Sequence, residues 1–306
     1  MKLYLLTPRV PKNPDSALKI SLDLMTESAK ARGYELVLIS TEECKMRFTN
    51  TAEILVNNKK LHIPVLIVKA SFSWTNADVH ASIIKQFELT GVETMNSFGA
   101  IATAKNKIRS LQIMSTKKIP IPKTYVVRSA EYVPEIVHDI GKYPVILKSV
   151  SGAKGIGVSI VESERGLRSI IQMMIDDDNS SPLIIQEYIK EASGKDFRVV
   201  VVGGKIVAAM NRIATRKGEF RSNFALGGRV KIAELTAEEK KIAIRATKAF
   251  GLDFAGVDII RSKNGPKVLE VNSNPGLDGI TKATGIDVAG AIIDFAIKRT
   301  KEKKKR

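Results

Sequence analysis

The chain has 306 residues, 44% hydrophobic and 26% charged, enough to bury cores in two or three packed units and free of low-complexity tracts. Its formal charge is +17, of which the last nine residues, KRTKEKKKR, supply +6; the body left at +11 suits an acidic partner such as nucleotide, nucleic acid or acidic peptide. One cysteine, Cys44, excludes an intramolecular disulfide, the first apolar run is too short for a signal peptide's core, and no stretch could span a bilayer, so a cytoplasmic protein with no membrane partner is expected.

Along the chain, KLYLL reads as a strand, and residues 15–32 have helical spacing with Gly33 as a stop. YELVLIS and PVLIVKA are strands, with ILVNNKKLHI between them as a hairpin around Asn57-Asn58. Residues 78–90 form a helix closed by Gly91, and this alternation predicts a small α/β domain with a mostly parallel sheet. Residues 96–118 look like one helix, and IPIPK then leads as an extended linker into the strand TYVVR.

The texture then changes. YPVILKSV and VSIVES are strands around the glycine loop SGAKGIG, followed by a helix over 164–177. LIIQEYI and FRVVVVGGKIVAAMNRI add strands, with Gly203-Gly204 as a tight turn, and 236–250 and 285–300 are helical. Hairpins with a few long helices indicate an α+β unit, so the whole is α/β plus α+β.

The stretch 256–276, GVDIIRSKNGPKVLEVNSNPG, places one carboxylate in each of two apolar strands. If Lys-Asn-Gly is a three-residue loop with a left-handed glycine, Asp258 faces Glu270 directly and Asn272 shares their side. Like charges so placed repel unless something positive lies between them. Three hard oxygen donors suit Mg²⁺ or Mn²⁺ with phosphate completing the shell, whereas a two-residue loop would shift the register and leave two solvated acids.

Other stretches add weaker signals. In 151–157, SGAKGIG, glycines let backbone N–H groups approach phosphate, although a plain hairpin loop has the same look; it is neither a Walker nor a Rossmann loop. Lys148 just ahead of it and Lys107 in a helix are candidates for phosphate contact. Residues 184–191, IIQEYIKE, could read an adenine edge through the backbone or be a core strand meeting a polar loop. The basic loop 211–228 holds Arg212, Arg216, Lys217, Arg221 and Asn223; its length marks it as functional, and its guanidinium forks suit phosphate and carboxylate.

In this order, the lysine helix, lysine strand, glycine loop, QEYIKE, FRSN and VDII…LEVNSNPG resemble the ATP-grasp ligases. Within them they are similar to the RimK-type branch, which adds glutamate to the C-terminal tail of a small-subunit ribosomal protein. The similarity runs over residues 85–290, and the first 80 residues match in layout. It implies an ATP-grasp fold behind an N-terminal Rossmann-like (pre-ATP-grasp) domain, divided as 1–95, 96–187 with the glycine lid, and 188–306 with the metal site and basic tail.

The resemblance also implies roles. Lys107 and Lys148 would hold ATP phosphates under a lid that includes Ser151, Gly152, Gly155 and Gly157. Glu187, Tyr188 and Ile189 would read adenine, followed by Asp196. Arg221 and Asn223, with Arg212, would act on the phosphate side, and Asp258, Glu270 and Asn272 would hold Mg²⁺ or Mn²⁺, as two ions.

The implied reaction is ATP-dependent addition of L-glutamate to an acceptor carboxylate through an acyl phosphate, by a homo-oligomer. Ribosomal-protein modifiers carry Pro-Arg where this chain has Val68-Lys69, so three acceptors stay open. They are a ribosomal protein tail, a small glutamylated coenzyme (pterin or deazaflavin) and an acidic carrier protein. The basic tail and net charge favour a competing reading, a non-catalytic RNA- or ribosome-binding protein. Intact acids argue against it, because buried like charges are costly without a metal, and nucleic acid is not the expected substrate.

Overall fold

The computed structural model describes residues 1–69, 77–150, 157–175, 181–215 and 228–305. The chain opens with β1 (Lys2–Thr7), α1 (Ala17–Ala31), β2 (Glu35–Ser40), β3 (Cys44–Phe48), β4 (Ala52–Val56), β5 (Val65–Val68), α2 (Ala77–Leu89) and β6 (Glu93–Met95). Four of the strands make a parallel sheet in the order β2-β1-β5-β6. Parallel strands are covered on both faces, which is why β5 is an uninterrupted VLIV with every residue buried. Helix α1 starts where Ser16 Oγ accepts from the Lys19 amide, a cap worth about 1 kcal/mol. It ends before Gly33, whose φ of +75° closes the turn.

The hairpin expected between the two flanking strands is displaced. Asn57 and Asn58 do turn the chain with positive φ, but only one bridge, Val56 with Lys59, closes that turn. The residues before it pair instead with the upstream segment, Cys44 opposite Val56 through Phe48 opposite Ala52.

The expected helix 96–118 is two helices, α3 (Phe98–Lys105) and α4 (Lys107–Thr116). Asn106 sits between them in extended backbone and accepts from the Arg109 amide, so its side chain starts a new helix rather than continuing the old one. The next layer comprises β7 (Thr124–Val127), α5 (Val133–Ile140), β8 (Val145–Ser149), β9 (Val158–Val161), α6 (Glu164–Met174) and β10 (Leu183–Glu187). Its antiparallel sheet runs β7-β10-β8-β9 over its own core, which includes Leu147, Leu167 and Ile185.

The remaining elements are β11 (Lys195–Val202), β12 (Lys205–Ile213), β13 (Arg229–Ile232), α7 (Ala237–Ala249), β14 (Phe254–Ser262), β15 (Gly265–Asn272), α8 (Asp278–Thr284) and α9 (Val288–Lys303). Their antiparallel sheet runs β13-β12-β11-β14-β15. One face, with Val199, Val201, Val257 and Val268, packs in a core with Ile242 and Ala246 of α7. On the opposite face the alternation splits along the strands. Val200, Val202 and Phe254 join α9 and the first unit, including Leu5, Met25 and Ile67, in one continuous core. The positions beyond them are polar, and there the candidate site lies.

Candidate active site

Residues two apart share a sheet face, so Asp196 and Arg198 of β11 lie on one side. Cross-strand partners bring Arg212 opposite Asp196, Asp258 opposite Arg198 and Glu270 opposite Asp258. Gly256 belongs to the same face, opposite Asn272. A Cβ there would approach Pro275 Cβ to 3.0 Å and Arg198 Cδ to 3.5 Å, so glycine leaves the room through which the Arg198 side chain passes.

The expected hairpin register is reached by a different route. Gly265 is left-handed at φ +94°, yet Ser262 pairs with Gly265 around only Lys263 and Asn264. That shorter loop alone would put Asp258 out of line with Glu270. The register shifts by one residue between Asp258 and Ile259, and this bulge restores the facing pair.

The positive groups on Asp258 are arginines. Arg198 Nε and Nη2 donate to Asp258 Oδ1 and Oδ2 at 2.8 and 2.7 Å, and Arg212 Nη2 donates to Asp258 Oδ2 at 2.7 Å. Burial alone would raise the Asp258 carboxyl, but the two guanidiniums outweigh it and hold its pKa below the ordinary carboxylate value. In the amide orientation that satisfies both neighbours, Asn272 donates to Glu270 Oε1 at 2.9 Å and accepts from Arg198 Nη2 at 3.1 Å. Glu270 itself is exposed to the cleft.

Two expected roles change with this geometry. Arg212, 3% exposed, gives Nε and Nη2 to the Asp196 oxygens at 2.6 Å each as well as reaching Asp258. It braces the acids from below instead of presenting its fork to the cleft. Asp196, expected on the nucleotide, is buried and holds Arg212. Burial opposes the Arg212 charge, and Asp258 and Asp196 overcome it, so the guanidinium pKa is raised.

Lysines face these acids. Lys148 Nζ donates to Gln186 Oε1 at 2.6 Å, and Gln186 Nε2 donates to Thr124 Oγ1 at 2.7 Å, which fixes the amide. Burial, against the pull of Glu270 and aided by Lys107, lowers Lys148 to about 8. Lys107 Nζ donates to the Val150 carbonyl at 3.0 Å; burial lowers its pKa, while Glu270 raises it. In a continuous helix Lys105 and Lys107 would point about 200° apart. The break at Asn106 lets both feel Glu270.

Of the residues expected at adenine, Glu187 is half-buried, accepting from Lys267 Nζ at 2.9 Å and the Lys123 amide at 3.2 Å. Tyr188 donates its hydroxyl to Ser193 Oγ at 2.9 Å, and Ile189 is buried. Gly157, at φ +73°, closes the base of the glycine loop, its carbonyl accepting from the Ser149 amide. Ser151, Gly152, Gly155, Arg221 and Asn223 lie outside the described residues.

Arg198, Gln186 and Lys267 belong to the site although no motif singles them out. Arg198 carried a usable signal, a charge within FRVVVV whose parity matches Asp196. The loop after Asn272 is held from the first unit. Asn96, fully buried, donates to the Phe254 and Ser273 carbonyls at 2.9 Å each and accepts from the Asp253 and Phe254 amides.

Asp258, Glu270 and Asn272 supply two carboxylates and one amide oxygen on one face, a donor set that fits a hard divalent cation. Among the described residues no group of three or more His, Cys, Asp or Glu side chains converges. Such an ion would therefore complete its shell with oxygens from outside the protein, as phosphate offers. The lysine wall opposite suits those phosphates.

A profile of the RimK-like ATP-grasp domain matches residues 104–296. The probable alpha-L-glutamate ligase 1 of Shewanella amazonensis is 40% identical over 283 residues, 92% of this chain and 93% of that protein. The probable alpha-L-glutamate ligase 2 of Shewanella denitrificans is 41% identical over 280 residues, 90% and 91% of the two chains. The ATP-grasp ligase PsnB, complexed with a phosphomimetic variant of minimal precursor, Mg and ADP, shares the fold. It has a TM-score of 0.74 and 20% identity over 98% of this chain and 99% of that one.

Proposed function

The chain belongs to the RimK-like ATP-grasp family, and from that premise we propose that its cleft joins L-glutamate to a carboxylate of a peptide or protein acceptor. It is an ATP-dependent carboxylate–amine ligase, forming a C–N bond as ATP becomes ADP and phosphate. The observation that carries the ATP-dependent ligase reading is the facing pair Asp258 and Glu270, with Asn272 beside them and Lys107 and Lys148 across the cleft, and glutamate as donor rests on the similarity to alpha-L-glutamate ligases.

A carboxylate resists attack by an amine because its oxygen is a poor leaving group. Phosphoryl transfer from ATP makes an acyl phosphate, the glutamate amine attacks its carbonyl carbon, and phosphate departs. Lys107 and Lys148 hold ATP phosphates, and Arg198 and Arg212 keep Asp258 ionised and aimed. Asp258, Glu270 and Asn272 would hold Mg²⁺ or Mn²⁺, as two ions, which when bound would supply positive charge against that of the transferring phosphoryl group. Glu187, Tyr188 and Ile189 line the adenine side.

The acceptor we put forward is the carboxyl terminus of a small-subunit ribosomal protein, modified in the cytoplasm by a homo-oligomer. Val68-Lys69, where ribosomal-protein modifiers carry Pro-Arg, is the departure that leaves a different acceptor open. Mass spectrometry of the peptide product after incubation with ATP, Mg²⁺ and L-glutamate tests this. Increments of one glutamyl residue on the ribosomal tail support it, and unchanged tail mass beside glutamylated coenzyme or carrier overturns the acceptor.

A further inference from the structure

Two more lysines than the nucleotide needs stand on the first unit's side of the cleft, Lys105 exposed and Lys69 buried behind it. Lys69 follows β5 and is 2% exposed. Its ammonium donates to the Pro275 carbonyl at 2.9 Å, and its own carbonyl accepts from Asn274 Nδ2 at 3.0 Å, so it is locked to the loop after Asn272. Its amide donates to the Leu6 carbonyl at the end of β1. β1 and β5 are neighbours whose onward connections run to opposite sides, and open parallel sheets take ligands in the crevice at such a point.

Lys105 ends α3, which packs beside β15. It is exposed to the cleft and makes no hydrogen bond or ion pair among the described residues. Its ammonium nevertheless lies where burial lowers its pKa, with Glu270 opposing, because the cleft walls crowd it. Burial, with Lys105 nearby, lowers Lys69 to about 7. Lys105, Lys107 and Lys148 thus face one carboxylate, Glu270, which has no arginine partner among the described residues, and Lys69 stands behind Lys105. The Arg198, Arg212, Asp196 and Asp258 charges balance among themselves. The ATP phosphates would be met by Lys107 and Lys148, which leaves Lys105 with no bonded anion among the described residues.

We propose that Lys105, backed by the locked Lys69, forms a carboxylate subsite for a substrate other than ATP. The inference rests on the ligase reading above. An ammonium is a compact point charge that suits a single carboxylate, and that carboxylate comes either from L-glutamate or from the acceptor end. Asn106 is the positioning residue that makes the subsite possible, because it turns Lys105 into the cleft beside Lys107.

The test uses the full chain with Mg²⁺ and a non-hydrolysable ATP analogue, titrated calorimetrically with L-glutamate and, separately, with tetra-L-glutamate peptide. Lys105→Met should weaken one of the two probes roughly 10- to 100-fold, the loss expected for one charge-assisted hydrogen bond, and leave the analogue's affinity within about twofold. Lys105→Arg should restore most of the binding. Weakened glutamate assigns the subsite to the donor, and weakened tetraglutamate assigns it to the acceptor. If Lys105→Met weakens only the analogue, or neither probe, or if the wild type binds neither probe, the subsite is wrong. A wild type that binds a probe yet forms no ADP with ATP, glutamate and any of the three acceptor classes sinks the glutamate-ligase reading while leaving the subsite standing.

Discussion

Arg198 and Asp258 form a two-point ion pair across neighbouring strands, Nε to Oδ1 at 2.8 Å and Nη2 to Oδ2 at 2.7 Å. The same Nη2 lies 3.1 Å from the Asn272 oxygen in its satisfied orientation. One guanidinium therefore sets the distance between two of the three proposed metal donors. With Arg212 on its other side, Asp258 is a buried carboxylate whose charge is matched before any metal arrives.

This asymmetry separates the two facing acids. Asp258→Asn leaves two arginines short of a partner and should cost about 3 kcal/mol of stability. Glu270→Gln changes an exposed group and should stay within about 0.5 kcal/mol of the wild type. Both should lower ATP turnover by roughly 100-fold or more. Urea unfolding of the two variants beside ADP-release rates checks the split; equal destabilisation would refute it.

Lys148 makes ATP affinity depend on pH. With its pKa lowered to about 8, the ammonium is present below that pH and lost above it, so KM for ATP should climb from pH 8 upward. Stability moves the other way. Between pH 8 and the ordinary lysine value the unfolded chain holds a proton that the folded chain has released, so unfolding free energy rises with pH across that window. Lys148→Met should flatten the KM profile. An unchanged profile in that variant assigns the pH response to another group.

Asn106→Ala should remove the cap of α4 and about 1 kcal/mol of stability. It also permits α3 and α4 to run on as one helix, which swings Lys105 away from the cleft. Activity should fall by more than the stability loss explains, and thermal melting read beside kcat/KM checks this.

Asn96 joins the first unit to β14 and to the loop after Asn272 through four hydrogen bonds, three of them buried. Asn96→Leu fills the volume but orphans those backbone groups, and should destabilise the protein by roughly 3–5 kcal/mol. The Mg²⁺ concentration for half-maximal activity should rise as the loop slackens, which a metal titration reads.

Much of the architecture was legible because local signals agreed with the fold. Ser16 and Gly33 bound α1, Gly91 closes α2, and Gly203 and Gly204, both at positive φ, turn β11 into β12. The broken helix at Asn106 was not legible, since Ala, Ile and Lys around it favour continuity and only the cap hydrogen bond interrupts it. Helix α8 escaped notice because seven residues flanked by glycines look like loop. In the site, the acids, their shared face and two lysines could be read from spacing and resemblance. The bulge that aligns Asp258 with Glu270 could not, because it depends on how β15 adjusts to a shorter turn. Nor could the burial of Arg212 and Asp196, since a basic residue at a loop edge looks the same in sequence whether it faces solvent or carboxylate.

The most direct measurement is ADP formation from ATP and Mg²⁺ in the presence of the ribosomal-tail peptide as acceptor, with each proteinogenic amino acid in turn, for the wild type and for Glu270→Gln. ADP formed only with L-glutamate, and lost in Glu270→Gln although that protein melts normally, is the predicted result. Turnover that needs another amino acid, or that persists undiminished without the Glu270 carboxylate, would contradict the account.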